Sequence, residues 1–205
     1  MPILQNYSRD NPMGMSRFLE SRQGVLLHEL GHYVAANIDG LVSGHLIIED
    51  RDDRNCSGAF RIARVSRQHF DGNPSRQELT AAAGALAEMH FCNSAVLRRL
   101  GPDIDVYFAP NLIRQIIYQV DRADAIILWQ QRHFALITQH ADCIEKNFER
   151  CITLLSEGAY LINGYHVIPT SALISPSPRS IMERLDDYLR TYSLTQALTA
   201  YLQAN

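Results

Sequence analysis

The chain has 205 residues, 46% of them hydrophobic and 20% charged, which is enough apolar content to bury a sizeable core in a single domain. A formal net charge of −3 and scattered Lys and Arg residues argue against nucleic acid as a partner. The opening MPILQNYSRDNPMGMS has no basic stretch followed by an apolar run, and the longest apolar runs, such as residues 125–129, are too short for a bilayer. A soluble, cytoplasmic chain without a membrane span is the expectation.

In chain order, residues 1–15 read as irregular. The apolar spacing predicts a helix from about Ser16 to Asn37, stopped near Asp39 and Gly40. SGHLIIED and GAFRIARV read as two short strands, with the charged DRDDRNCS between them as a solvated turn. PSRQELTAAAGALAEMHFCNSAVLRRL is the clearest helix, with Ser75 and Glu78 in a capping-box pattern and Leu79, Ala82, Ala83, Leu86 and Met89 at helical spacing. Gly101-Pro102 breaks it. From about Asp105 to Glu157 the chain reads as mostly helical, with Trp129 among packing residues. GYHVIP is a short extended piece, and two small helices near 180–190 and 193–203 close the chain. The four cysteines, Cys56, Cys92, Cys143 and Cys151, lack C-x-x-C spacing and read as reduced thiols. The fold class is therefore α+β, mainly α-helical, with a small β element and a helical C-terminal half.

Within the first helix stands His28-Glu29-Leu30-Gly31-His32. Residues i and i+4 share one helix face, so both imidazoles reach a single metal ion, and zinc accepts histidine nitrogens readily. Glu29 is offset from that face and placed to take a proton from a water activated at the ion. Val25, Leu26, Leu27, Leu30, Tyr33, Val34, Ala35 and Ala36 make the helix apolar on nearly all sides, so it should be buried. Two buried histidines and a carboxylate are costly unless something pairs with them, and a metal ion does so. Gly31 costs about 1 kcal/mol relative to alanine inside a helix. Its missing side chain would let another backbone pass close by. A hydrolytic zinc site needs a third protein ligand and one open position. No His or Glu just downstream extends the motif, which leaves Glu49, Glu88, Asp103, Asp105, His90 and His166 as candidates.

Several segments in order resemble the proteolytic domain of the FtsH-type ATP-dependent zinc proteases, over roughly Gly24 to Val106. HELGHYVAA is similar to that family's zinc helix, VSGHLIIEDR and GAFRIARV to the two strands after it, SRQELTAAAGALAEMHF to its capped helix, and GPDID to its Gly-x-x-x-Asp segment. The resemblance implies a zincin-like metal helix and one peptidase domain over residues 1–205, with the zinc-site region at 16–106 and a helical region at 107–205. It implies Zn2+ held by His28, His32 and Asp105, which lies four residues after Gly101. It makes Glu29 the general base and Glu88 a partner that orients a ligand histidine. The family's ATPase module has no counterpart, since no phosphate-binding G-x-x-x-x-G-K-[ST] loop occurs. A homo-oligomer or a separate ATPase partner stays open.

The leading expectation is a zinc-dependent endopeptidase acting on flexible or unfolded protein and peptide substrates, with the strand HLIIED taking an extended substrate by edge pairing. HELGHY also resembles the zinc proteases that cut bacterial repressors, although their closer third-ligand glutamate has no match. A non-catalytic binding protein that keeps the zinc-site shell is the third reading, and Glu29 counts against it. Among the remaining histidines, His45 is expected to be half exposed, His133 and His140 to share one helix face, and His166 to approach the site only if its strand folds back.

Overall fold

The computed structural model describes residues 21–38, 42–51, 56–63, 74–92, 133–177, 198–199 and 202–203. Expectations for residues 1–20, for Trp129, for Asp103 and Asp105, and for the helix near 180–190 lie outside them. So do those for the side chains of Ser75, Glu78, Met89 and Cys92. The described part is α+β, mainly helical, with one small antiparallel sheet.

Helix α1 spans Arg22–Ala36, shorter at its start than the apolar spacing predicts. Ser21 is extended and its hydroxyl accepts the Gly24 amide at 3.3 Å, which fixes the helix start. At the other end the Asn37 amide bonds Tyr33 O and Val34 O, and its side-chain oxygen accepts from the Val42 amide at 3.2 Å. One residue thus ends the helix and aims the chain into the sheet.

Strands β1 (Gly44–Glu49) and β2 (Gly58–Ile62) form where two strands are expected, followed by helix α2 (Pro74–Cys92). Residues 133–139 are helical, and α3 covers Ala141–Ser156. His140 sits at the break between these two helical stretches, so His133 and His140 do not lie on one continuous helix. Strands β3 (Leu161–Ile162) and β4 (Tyr165–Pro169) complete the sheet, whose order is β2-β1-β4-β3. The β3–β4 hairpin turns on Asn163 and Gly164, with φ of 50° and 79°. Both sit in the left-handed region that a two-residue hairpin of matching twist demands.

This order corrects one expectation. HLIIED is not an edge: β1 is paired on both sides, with β2 and with β4, and among the described residues the outer strand beside α1 is β2. GYHVIP folds back as β4 and fills the flank of β1.

The sheet lays one face on the helices. Leu46, Ile48 and Ile168 join Leu26, Leu27, Leu30, Tyr33 and Val34 of α1, Ala83, Leu86 and Ala87 of α2, and Ile144, Phe148 and Cys151 of α3 in one core. Each fully buried large aliphatic side chain there contributes roughly 1.5–3 kcal/mol. On the opposite face Ile47 and Val167 meet Leu198 in a smaller cluster. His45 belongs to that face and is 4% exposed, so the expected half-exposed histidine is in fact buried. Cys56, Cys143 and Cys151 are free thiols, as expected. Among the described residues no helix is long and apolar enough to cross a membrane.

Candidate metal centre

α1 and α2 pack so closely that a Cβ on Gly31 would lie 2.4 Å from Ala83 O and 2.9 Å from Ala83 C. The α2 backbone does pass beside the His-Glu helix, as the glycine within the motif leads one to expect. A second glycine matters as much. A Cβ on Gly84 would stand 2.5–2.6 Å from three atoms of the His28 ring. Gly84 makes the floor on which that imidazole lies. No pattern in the sequence marks it, because the contact is purely tertiary.

Both histidines are held through Nδ1. His28 Nδ1 donates to Glu88 Oε1 at 2.8 Å, and His32 Nδ1 donates to Thr80 O at 2.5 Å. Glu88 thus orients a histidine of the motif. When both rings are neutral with N–H at Nδ1, each Nε2 has its lone pair free, and the two Nε2 atoms converge to 3.0 Å with the rings at 77°. Two lone pairs facing each other repel unless a cation, either a proton or a metal ion, sits between them. An ion with zinc's bond lengths and tetrahedral angles needs about 3.3 Å between the two nitrogens, so a shift of a few tenths of an ångström accommodates it. His28, Glu29 and His32 offer ligand atoms that all lie within 4.8 Å of one another. The donor set therefore fits a borderline cation such as Zn2+.

The electrostatics favour this use. Burial, together with the nearby His28, pushes His32 down to about 3, only partly opposed by the Thr80 carbonyl. The ring thus stays neutral and keeps its lone pair. At His28 burial pulls downward, but the hydrogen bond and charge of Glu88, with the charge of Glu29, outweigh it and the net shift is upward. Burial raises Glu29 above the usual carboxylate range. Glu88 adds to that rise, while His28, the Phe60 amide and Arg61 act against it. A carboxyl raised in this way holds a proton more readily than an exposed one.

Glu29 is 7% exposed, and its Oε2 accepts the Phe60 amide of β2 at 2.6 Å. This bond fastens the carboxylate between helix and outer strand. Two adjoining cavities, of about 670 and 430 Å3, open on either side of it. His28, Glu29 and Glu88 line the larger one, and Glu29 and His32 the smaller. The His28 side chain keeps 25% of its surface exposed, so an ion and a substrate have access.

Of the other candidate ligands, Glu49, His90 and His166 are engaged elsewhere. Glu49 accepts from Ser57 N and Oγ and pairs with Arg51, stapling the β1–β2 connection. His90 sits at the end of α2 and meets Thr138. His166 folds back on β4 without reaching the site. It is fully buried, with Nδ1 at Ala159 O and Nε2 3.1 Å from Asp50. Compared with protein-family models, with curated proteins and with solved structures, the chain gives no match.

Proposed function

We propose that the chain is a zinc-dependent endopeptidase. One observation carries the reading: two imidazole Nε2 atoms are brought to 3.0 Å by anchors on the far side of each ring, beside a buried carboxyl at a cavity wall. A histidine pair joined only by a hydrogen bond in the core has no need of a buried proton acceptor next to it.

His28 and His32 would hold the ion through Nε2, and Asp105 is the proposed third ligand on the strength of the GPDID resemblance. Bound zinc would supply a Lewis acid for the scissile carbonyl and lower the pKa of the attacking water. Glu29 takes the proton released as the water attacks and delivers it to the leaving amine. The Phe60 amide fixes the direction in which Glu29 presents its free oxygen. Glu88 sets the His28 tautomer so that Nε2, and not Nδ1, faces the ion.

The substrate is an extended protein segment laid along the outer edge of β2, where strand pairing supplies affinity without reading sequence. No unfolding motor belongs to this reading, so flexible or unfolded chains are the preferred targets.

The test compares wild type and Glu29→Gln for metal content and for cleavage of unfolded casein, with and without a chelator. Wild type should hold one zinc per chain and cleave. Glu29→Gln should keep the zinc and lose about 10²–10⁴-fold in kcat. Cleavage at the normal rate by Glu29→Gln, or wild type that binds no metal, would end this reading.

A further inference from the structure

The phase of the β1–β2 ladder decides which backbone groups β2 can offer to a guest strand. Glu49 N bonds Ser57 O and Ala63 N bonds Ser43 O, so the hydrogen-bonded rungs fall on the odd-numbered residues of β2. Ala59 and Arg61 therefore turn their amides and carbonyls toward β1, while Gly58, Phe60 and Ile62 turn theirs outward. Among the described residues no further strand covers that side. One of the outward groups is already in use: the Phe60 amide donates to Glu29 Oε2 at 2.6 Å. The Phe60 ring lies on the α1 face of the strand, edge-on to Tyr33 with centroids 5.8 Å apart. Glu29 thus reaches the strand edge from α1 at one defined rung.

That occupied rung interrupts the ladder. A strand laid antiparallel on this edge pairs in full with Ile62 and Gly58, each of which gives an amide and a carbonyl. At Phe60 only the carbonyl is free to accept. The guest residue facing Phe60 donates its N–H to Phe60 O, but its own C=O points at an amide whose hydrogen is committed. A carbonyl oxygen bonded there would stand about 2.9 Å from the nitrogen. Glu29 Oε2 already holds that space at 2.6 Å. Two acceptor oxygens repel in one slot, and the carboxyl oxygen, tethered by α1, keeps the shorter bond. The guest carbonyl is left against Glu29 with no donor from the edge. Glu29 is also the carboxyl whose ligand oxygen lies within 4.8 Å of those of His28 and His32. The single carbonyl that the edge leaves unpaired is therefore the one brought to the His-Glu motif.

Every pairing in this sheet is antiparallel, and antiparallel pairing is the more stable of the two. Ile62 lines the smaller cavity, and Val25, beside Gly58, lines the larger, so an antiparallel guest enters through the first and leaves through the second. We infer that the β2 edge sets the register of cleavage: the guest residue facing Phe60 is the scissile residue, and the bond cut joins its carbonyl carbon to the next nitrogen. This rests on the endopeptidase reading and states which backbone groups of the substrate that site recognises. Water adds to the carbonyl carbon, the C–N bond breaks, and a proton of the water passes by way of Glu29 to the departing nitrogen, leaving a carboxylic acid and an amine. Three guest N–H groups are read by the edge. They belong to the scissile residue, to the residue two before it, facing Ile62, and to the residue two after it, facing Gly58. The residue just before the scissile one faces Arg61, whose backbone belongs to β1, so its N–H points away and is not read.

The experiment starts from a peptide that the zinc-supplemented full chain cuts at one mapped bond, and methylates its backbone nitrogens one at a time. Methylation at the scissile residue, two before it or two after it should each lower kcat/KM, and should weaken binding to the chelator-treated full chain by about three- to ten-fold, the scale of one lost hydrogen bond. Methylation at the residue just before the scissile one should change neither. A second arm fixes the register without cleavage. Chelator-treated Ala59→Cys, in a Cys56→Ser background, meets peptides carrying a single cysteine in a glutathione redox buffer. The residue just after the scissile one faces Ala59 in a non-hydrogen-bonded pair, with Cα atoms about 4.5 Å apart and within disulfide reach. A cysteine there should cross-link, and one at the scissile residue should not. Equal sensitivity at neighbouring nitrogens, the opposite alternation, or cross-linking from the residue just before the scissile one overturns the inference. Those outcomes leave the endopeptidase reading standing, whereas a wild type that cleaves nothing removes both.

Discussion

Helices α1 and α3 belong to the same core yet bury different things. α3 carries one apolar stripe, Ile144, Phe148, Cys151 and Leu155, and leaves its charged residues in solvent. Its one buried polar side chain, Asn147, is satisfied within a small clasp: its amide nitrogen reaches Ile174 O at 2.8 Å and its oxygen accepts the Ile174 amide at 2.8 Å. α1 is buried on nearly every side and takes Glu29 into the core with it, flanked by two partly buried histidines. A polar group on α3 can be changed at the cost of its own contacts. A polar group on α1 is tied to α2, to β2 and to its neighbours in the motif, so each change reaches several elements at once.

The comparison breaks most visibly in acid. In the metal-free protein His32 has a folded pKa of about 3, well below its ordinary 6.5, so the unfolded chain binds the proton more tightly. Stability from this residue is therefore present above about pH 6.5 and lost as pH falls from there toward 3, at roughly 1.4 kcal/mol per unit. His28, shifted upward, works the other way: its contribution is complete below its unfolded pKa and is lost as pH rises through its folded value. Urea titrations of chelator-treated protein between pH 7 and 4 should show the His32 slope, and His32→Gln should remove it.

Gly31→Ala should be next in size. The new methyl group would press on the Ala83 carbonyl, which is backbone and cannot rotate away, so the helices must separate. A loss of about 1–3 kcal/mol or somewhat more is expected from urea unfolding. Glu88→Gln sharpens the comparison on the site itself. It keeps the shape of the His28 partner but removes its charge, and zinc affinity should fall about 10–100-fold in competition with a chelating dye. Lys146→Ala is the control on α3. Its ion pair with Asp142 at 2.7 Å is exposed, so neither the urea midpoint nor zinc binding should move measurably.

The sequence made the His-Glu helix readable because its pattern is local: two histidines four apart, a glutamate between them, and an apolar surround need no tertiary knowledge. Gly31 was readable for the same reason, as an expensive residue in a helix that otherwise avoids expense. Glu88 was reached through the family resemblance, and its hydrogen bond to His28 joins residues 60 apart in the chain. Gly84 and the Phe60 amide stayed hidden, since each acts only through what folds against it. The strand order was hidden too, because the second partner of β1 lies more than a hundred residues downstream. The Asn163-Gly164 hairpin is legible in the sequence. An Asn-Gly pair between apolar residues is a strong short-range turn signal, and it marks β3 and makes GYHVIP one arm of a pair.

Because β1 lies inside the sheet between an early neighbour and a late one, the order of synthesis imposes a waiting period. The His-Glu helix, β1, β2 and α2 all leave the ribosome before residues 165–169 exist, so one flank of β1 emerges with open amides and carbonyls and a run of Leu46, Ile47 and Ile48 between them. Until β4 arrives, that flank is a template for any passing strand. A nascent chain stalled after α3 should therefore be sticky in a way the finished protein is not, and whatever shields it in the interval governs the yield of folded molecules.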